Sequence, residues 1–378
     1  DINGNETFVS AMYLSETIIS TNDSITISKA YIDDDLLYLF HNEGYYIVRD
    51  TQKNIVGVNL NTEQFKNLYM DRLSILENES KLFIKNSLIQ NNKYFDANIL
   101  YSMGKDSTVM YNLILDTLKK EDLLLDKNLN KSLIHIDTSR KIPEMITFRD
   151  KIFSQALEFD FKNVVVMSDT LNLNHVQDIK FKPISSDLTS CCHTLKTLPL
   201  LDVIYGENKY RYKEILDNNS FKEITLSNKM DSIFIGARGD EESTRSKESM
   251  VSLRTKDTLK LEVQNIFVLE AHRIYGEISK YNDNHYRLYP LLRWTELDIW
   301  EYISKYETSI IPLYFSKDGG RYRSIGCECC SSKIKSCKST ANEILLELKN
   351  ELFSIPERST RKQDDEYGLE TLRTKGYM

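Results

Sequence analysis

The stretch Ile99-Leu100-Tyr101-Ser102-Met103-Gly104-Lys105-Asp106-Ser107 decides the fold. Ile99-Leu100-Tyr101 reads as a short strand. Met110, Leu113, Ile114 and Leu118 then recur at helical spacing on one face. Strand, small polar loop and helix together aim backbone N–H groups and a helix N-terminus at an anion. Ser102 and Ser107 add hydroxyl donors, Gly104 lets the backbone approach a phosphate, and Lys105 supplies a point charge. Asp106 is the odd member, because a carboxylate repels phosphate. It implies either a Mg²⁺ bridge or a structural role in the loop.

The spacing is not that of a Walker A loop, which places its Lys after Gly-x-x-x-x-Gly. The segment Ser102–Ser107 resembles the pyrophosphate loop (PP-loop) of the ATP pyrophosphatases, usually Ser-Gly-Gly-Lys-Asp-Ser, with Met103 replacing the first glycine as in the sulfate-activating branch. The resemblance implies ATP as substrate, cleaved between its α and β phosphates.

Around this segment the chain alternates helices with apolar strands. A helix is expected over Glu79–Gln90, and strands over Asn98–Tyr101, Ser132–Ile136, Asn163–Val166 and Ser232–Ile235. Such alternation predicts an α/β fold, a mostly parallel sheet covered by helices, with ligands at the carboxyl ends of the strands. Residues 1–70 differ. Ser24–Ile27, Leu36–Phe40, Tyr45–Val48 and Ile55–Val58 read as short strands with turns at 41–44 and 51–54, and a helical stretch begins near Thr62. We therefore expect a small β-rich module over 1–70, serving either packing and oligomerisation or partner binding, and a catalytic domain over 71–378.

The 378 residues, 41% hydrophobic and 28% charged, describe an ordinary globular chain. Its net charge of −7 argues against a uniformly basic nucleic-acid binder but allows a local basic channel. No apolar run approaches a membrane span and no leader pattern is read, so the expected compartment is the cytoplasm.

Two further motifs fall at strand ends. In His135-Ile136-Asp137-Thr138, Asp137 is a candidate for Mg²⁺ or a ribose hydroxyl, and His135 reads equally as a buried structural histidine. Arg140, Lys141, Glu144, Arg149 and Asp150 follow on a helix whose default reading is a charged solvent face. The segment from Gly236 to Arg245 follows the fourth strand: Gly236 allows close ligand approach, and Arg238 and Arg245 offer planar forks for an oxyanion, oriented by Glu241 and Glu242. Trp294–Trp300 begins a helix with Thr295 as N-cap and Asp298 at the capping-box position. Its aromatics read as core, and Ile311–Tyr314 as structural.

The six cysteines are clustered: Cys191-Cys192, then Cys327, Cys329, Cys330 and Cys337. In a reducing compartment this grouping favours a metal site over disulfides. Cys191, Cys192, Cys327 and Cys330 can hold a [4Fe–4S] cluster or Zn²⁺, although adjacent cysteines strain a single tetrahedral ion. A redox dithiol is the third reading. The doublet with Cys-x-x-Cys resembles the cluster site of adenylyl-sulfate reductases. Cys329 and Cys337 are left to carry sulfur, to attack an intermediate, or to be inert.

From about Leu76 to Met378 the ordered blocks resemble the small catalytic subunit of sulfate adenylyltransferase, within the phosphoadenylyl-sulfate reductase superfamily. The blocks are Tyr101–Ser107, His135–Arg149, Gly236–Glu248, Trp294–Trp300, Ile311–Phe315, Arg323–Cys327 and the tail from Glu357-Arg358 to Gly376-Tyr377. The resemblance implies ATP, Mg²⁺ and adenylyl transfer, with a GTPase subunit as partner. Three features depart from it: the cysteine group, the short stretch between Phe315 and Arg323, and the module over 1–70. The reductases carry a catalytic cysteine near the C-terminus, and no cysteine follows Cys337 here. An adenylylating loop combined with an iron–sulfur site looks like the sulfur-inserting enzymes, the tRNA thiolases and the proteins that place sulfur in the DNA backbone. That reading implies a sulfur-donor protein such as a cysteine desulfurase, nucleic acid as acceptor, and further subunits of a sulfur-modification complex. A non-catalytic nucleotide sensor is the remaining reading, and intact Lys105 and Asp106 argue against it.

Overall fold

The structure is a computed structural model. It describes residues 72–90, 93–168, 191–217, 220–241, 245, 248–255, 284–350 and 357–360, with the backbone of the strands at 17–58 and 260–261 named below. The chain forms two compact units, Asp1–Ser80 and Lys81–Met378.

In the first unit β1 (Thr17–Ile19), β2 (Ile25–Asp33), β3 (Leu36–His41), β4 (Tyr46–Arg49) and β5 (Ile55–Val58) make one antiparallel meander in chain order. Of the turn expected at 41–44, His41 ends β3 and the remainder lies outside the described residues, as do the turn expected at 51–54 and the helix near Thr62.

The second unit is built on a nine-stranded sheet. In the chain it is preceded by helix α1 (Arg72–Leu88), whose residues up to Ser80 belong to the first unit, and by a short hairpin, β6 (Ile89–Gln90) with β7 (Lys93–Tyr94). Five central strands are parallel, in the order β10 (Lys162–Met167), β9 (Lys131–Asp137), β8 (Ala97–Leu100), β13 (Ser232–Ile235), β16 (Asn284–Leu288). Antiparallel pairs extend both sides: β11 (Arg211–Ile215) and β12 (Phe221–Ile224) beyond β10, β14 (Val251–Thr255) and β15 (Lys260–Leu261) beyond β16.

The expected parallel core is therefore present, while the flanking antiparallel strands add to it. Ile134, Val164, Val166 and Ile233 pack on Leu200, Val203 and Ile204 of α4 (Leu198–Tyr205). Side chains alternate along a strand, so Leu133, Val165 and Ile99 face the other way, and they too are buried. Burial on both faces is what makes parallel strands read as continuous apolar runs.

Helix α2 (Lys105–Lys120) places Met110, Leu113, Ile114 and Leu118 in the core, with Asp106 in its first turn and Lys119 and Lys120 in its last, as the macrodipole favours. Helix α3 (Pro143–Leu157) starts at a proline, so Arg140 and Lys141 precede it; Arg149 is buried rather than on a solvent face. Helix α5 (Glu296–Lys305) has the full capping box: Asp298 N–H donates to Thr295 Oγ1 at 3.3 Å, and Thr295 N–H donates to Asp298 Oδ2 at 2.7 Å. Trp294 and Trp300 are core residues, as expected. Beyond α5 come a hairpin, β17 (Gly320–Tyr322) with β18 (Lys333–Lys335), and α6 (Ala341–Asn350). Among the described residues no helix is long and apolar enough to cross a membrane.

Candidate active site

Parallel pairing sets the carboxyl ends of β8, β9 and β13 side by side, with Leu100 opposite both Ile134 and Ile235. A cavity of about 190 Å³ opens there. Its wall includes Ser102, Gly104, Asp106 and Ser107 from the loop after β8, His135 from β9, Gly236, Glu241 and Arg245 from the segment after β13, and Tyr314, Gly326 and Glu357 from the C-terminal third.

The loop is held by its own polar groups. Ser102 Oγ donates to Ser107 Oγ at 3.1 Å, and Ser107 Oγ and Thr108 Oγ1 each lie 3.0 Å from the Gly104 carbonyl they donate to. Lys105 N–H, at the helix start, donates to the Tyr314 hydroxyl at 3.1 Å. Burial pushes the Tyr314 hydroxyl up to about 12, so it stays protonated. The left-handed residue of the loop is Met103, with φ 68°, rather than Gly104, whose φ of −68° suits any residue. That conformation costs an L-residue about 1–2 kcal/mol, and the full burial of the Met103 side chain offsets it.

Gly236 is required by the protein backbone. A Cβ there would sit 3.0 Å from Ser107 Cα, 3.1 Å from Ser107 N and 3.2 Å from Asp106 C. The strand end touches the start of α2 directly, so this glycine sets how closely loop and sheet approach.

Behind the wall lies a buried charge cluster. Arg238 uses every edge of its guanidinium: Nε donates to Asp240 at 2.8 Å, Nη1 to Asp106 and Nη2 to Glu357. Lys105 Nζ donates to Glu357 and, at 3.3 Å, to Asp106. Arg238 is 0% and Lys105 1% exposed. Burial opposes the charge of each, but Asp106 and Glu357 outweigh it, so both pKa values lie above the ordinary ones. Burial likewise opposes the Glu357 charge, and Arg238 and Lys105 overcome it, holding that carboxyl well below the usual carboxylate range. Arg245 pairs with Glu241, as the sequence predicts; Glu242 lies outside the described residues.

Cys327, Cys329 and Cys330 follow Gly326 of the same wall. Cys327 begins a single turn, Glu328–Cys330, tied to the loop after β9: Glu328 N–H donates to the Arg140 carbonyl at 2.8 Å, and Thr138 Oγ1 is 3.4 Å from Cys327 Sγ. Cys191, Cys192, Cys327 and Cys330 are buried, Cys329 is half-buried and Cys337 exposed. Cys329 Sγ lies 3.6 Å from Cys330 Sγ and within electrostatic reach of both Cys327 and Cys191, so doublet and triplet meet. Burial, with the neighbouring thiols, pushes Cys330 up to about 12. Among the described residues no three Cys, His, Asp or Glu side chains converge as they would on one metal ion.

The family model of the phosphoadenosine phosphosulfate reductase domain matches residues 96–333. The chain belongs to this family. Among curated relatives, the sulfate adenylyltransferase subunit 2 of Rhizobium tropici is 27% identical over 74% of this chain and 86% of its own. That of Akkermansia muciniphila is 28% identical over 82% of this chain and 98% of its own. Among solved structures, yeast FAD synthetase in complex with FAD is 14% identical, with a TM-score of 0.39 over 70% of this chain and 69% of its own. As a member of the phosphoadenosine phosphosulfate reductase family with an intact loop, the chain is a PP-loop enzyme of the ATP pyrophosphatase and adenylyltransferase class, using ATP in sulfur metabolism.

Of the residues singled out in this family member's sequence, Ser102, Gly104, Asp106, Ser107, Gly236 and Arg245 line the cavity, and Lys105 and Arg238 stand behind it. The carboxylates proposed for Mg²⁺ are engaged otherwise. Asp106 binds Arg238 and Lys105, while Asp137 accepts from Ser139 N–H at 2.8 Å and lies 3.7 Å from Arg149. These donors do not fit a protein-held Mg²⁺. His135 is buried, donates from Nδ1 to the Tyr101 carbonyl at 2.9 Å, and is held neutral chiefly by burial. Sequence reading missed Glu357 and Tyr314 as site residues. Their only signal was membership of the resembling blocks, since nothing local in the sequence joins them to Lys105.

Proposed function

We propose that this chain transfers the adenylyl group of ATP to an oxygen acceptor in a pathway of sulfur incorporation. The acceptor oxygen bonds to the α phosphorus, the bond from that phosphorus to the bridging oxygen breaks, and pyrophosphate leaves with the electron pair. The observation carrying this reading is the loop Ser102–Ser107 between β8 and α2, opening on a cavity shared with Gly236 and Arg245. The loop hydroxyls and helix start bind the β and γ phosphates. Lys105 and Arg238 stabilise charge developing on the departing pyrophosphate, an arrangement whose strength comes from preorganisation in a water-poor site. Mg²⁺ enters on the nucleotide.

Sulfate is the acceptor supported by the relatives named sulfate adenylyltransferase subunit 2. A second acceptor, a nucleic-acid oxygen later replaced by sulfur as in DNA phosphorothioation, is favoured by one observation: Cys191, Cys327, Cys329 and Cys330 gather beside Gly326 and Lys196, both of which line the cavity. Four thiolates including an adjacent pair suit a [4Fe–4S] cluster better than one tetrahedral ion, because a cluster places each thiolate on a different iron. Cys191, Cys192, Cys327 and Cys330 would hold it, and when bound it would supply or hold sulfide. A cysteine desulfurase as sulfur donor and further subunits belong to this second reading.

The test is pyrophosphate release from ATP by anaerobically purified protein, with sulfate or with DNA and tRNA as acceptor. Release stimulated by sulfate alone supports sulfate activation. Release stimulated by nucleic acid, with iron and sulfide bound and lost together in Cys191→Ser, supports thiolation. Absence of release with every acceptor overturns adenylyl transfer.

A further inference from the structure

Two of the cations assigned to pyrophosphate, Lys105 and Arg238, are not on the cavity wall. Asp106 and Glu357 line the cavity, whereas the Lys105 and Arg238 side chains are sealed behind them. Lys141, Lys196, Arg245 and Arg358 also line the cavity and can draw a triphosphate to it, but the two sealed cations are reached only past Asp106 and Glu357.

Glu357 sits as a phosphoryl group would. One of its oxygens accepts from Lys105 Nζ and the other from Arg238 Nη2, so the carboxylate bridges the two cations. Its competitors are fixed in place. Asp106 belongs to the loop itself, and Asp240 also accepts from Glu296 N–H at 2.7 Å, at the start of α5. Glu296 is in turn forked by Arg323, with contacts at 3.1 and 2.7 Å. Of the three carboxylates that bind Lys105 and Arg238, Asp106 and Asp240 are thus anchored by other elements, and Glu357 bridges both cations. A phosphate that is to reach both cations must compete with Glu357 for them. Departure of Glu357 gives an incoming phosphate the two donors that it vacates.

We propose that Glu357 is a built-in anion that fills the phosphate seat of the ATP-free enzyme and is displaced when the nucleotide binds. It keeps Lys105 and Arg238 charged and aligned, because an uncompensated buried cation pair is costly. It also lowers phosphate affinity by competing for the same donors. The inference rests on the ATP reading above.

The experiment is calorimetric titration of wild-type and Glu357→Gln protein with inorganic pyrophosphate and with a non-hydrolysable ATP analogue carrying Mg²⁺. Amide hydrogen exchange of wild-type residues 357–360 is followed with and without the analogue. Displacement predicts at least about fivefold tighter pyrophosphate binding in the variant, within the range usual for coupled equilibria, and faster exchange at 357–360 on binding. Equal or weaker binding by a folded variant overturns the proposal. So does unchanged or slower exchange in the wild type, which decides the matter if Glu357→Gln does not fold. Failure of both proteins to bind either ligand overturns the ATP reading together with this one; binding with unaltered exchange overturns this one alone.

Discussion

Replacing Gly236 by alanine tests how the site is assembled. The added Cβ meets backbone atoms at 3.0, 3.1 and 3.2 Å, and none of these belongs to a side chain that can rotate away. Carbon atoms are comfortable at about 3.5–4.0 Å, so the end of β13 and the start of α2 must part by roughly half an ångström. Overpacking of this kind costs about 1–3 kcal/mol. Gly236 is not among the residues with positive φ, so alanine also stiffens the unfolded chain and returns about 0.4–1 kcal/mol. The clash wins, leaving a net loss of about 1–2 kcal/mol. A displacement of about 1 Å at a reacting centre costs on the order of 100-fold in rate; half of it predicts roughly tenfold weaker kcat/KM for ATP. Gly104→Ala is the control. Its Cβ would meet only the Ser102 and Tyr314 side-chain oxygens, at 3.4 and 3.5 Å, with φ −68°. Thermal unfolding should place Gly104→Ala within about 0.5 kcal/mol of wild type and Gly236→Ala clearly below it. If Gly236→Ala matches wild type in stability and turnover, or Gly104→Ala is the less stable of the two, the packing argument is wrong.

Further predictions concern the charges, the thiols and a cap. Arg238→Met leaves Asp106, Glu357 and Asp240 without their shared cation, and denaturant unfolding should show a loss of about 3–5 kcal/mol. The Glu357 carboxyl is depressed in the fold, so its contribution to stability is complete above the ordinary glutamate pKa of about 4.3 and is lost as pH falls below it; in Glu357→Gln the acid limb of the pH–stability curve should flatten. In metal-free protein at pH 8, iodoacetamide followed by peptide mass spectrometry should label exposed Cys337 well before buried Cys330, whose thiol is pushed up to about 12. Faster labelling of Cys330 would contradict its burial. Thr295→Ala should cost about 0.5–2 kcal/mol through the lost capping box.

What the sequence discloses depends on where a residue's partners lie. The strands β8, β9, β10 and β13 were legible because both of their faces are buried, so apolar residues run unbroken. The strand β16 was not. It reads Asn-His-Tyr-Arg-Leu yet is wholly buried, its His285 Nδ1 bonded to the Tyr205 hydroxyl at 2.9 Å. A pattern scan sees polar residues there and cannot see a partner 80 positions away. The outer strands β11 and β12 carry charges at most positions and bury few side chains, so their periodicity is faint. The loop Ser102–Ser107 announced itself because all its parts are contiguous. The counterions of Lys105 and Arg238 did not, so the sequence left a Mg²⁺ bridge and a structural role both open for Asp106, which the structure shows bound to the two cations. For the cysteines, spacing indicated grouping, and the structure brings the doublet to the triplet without closing them around one ion.

The charge cluster also has a schedule. Asp106 and Arg238 are 132 residues apart, Arg238 and Glu357 a further 119, and Lys105 meets Glu357 across 252. At a synthesis rate of about 5–20 residues per second, Glu357 follows Lys105 out of the ribosome by roughly 13–50 s. Over that interval the growing chain holds its loop, and then Arg238, before the carboxylate that will cover them exists. The cluster is completed only when Glu357 docks on cations and a sheet that have already been made.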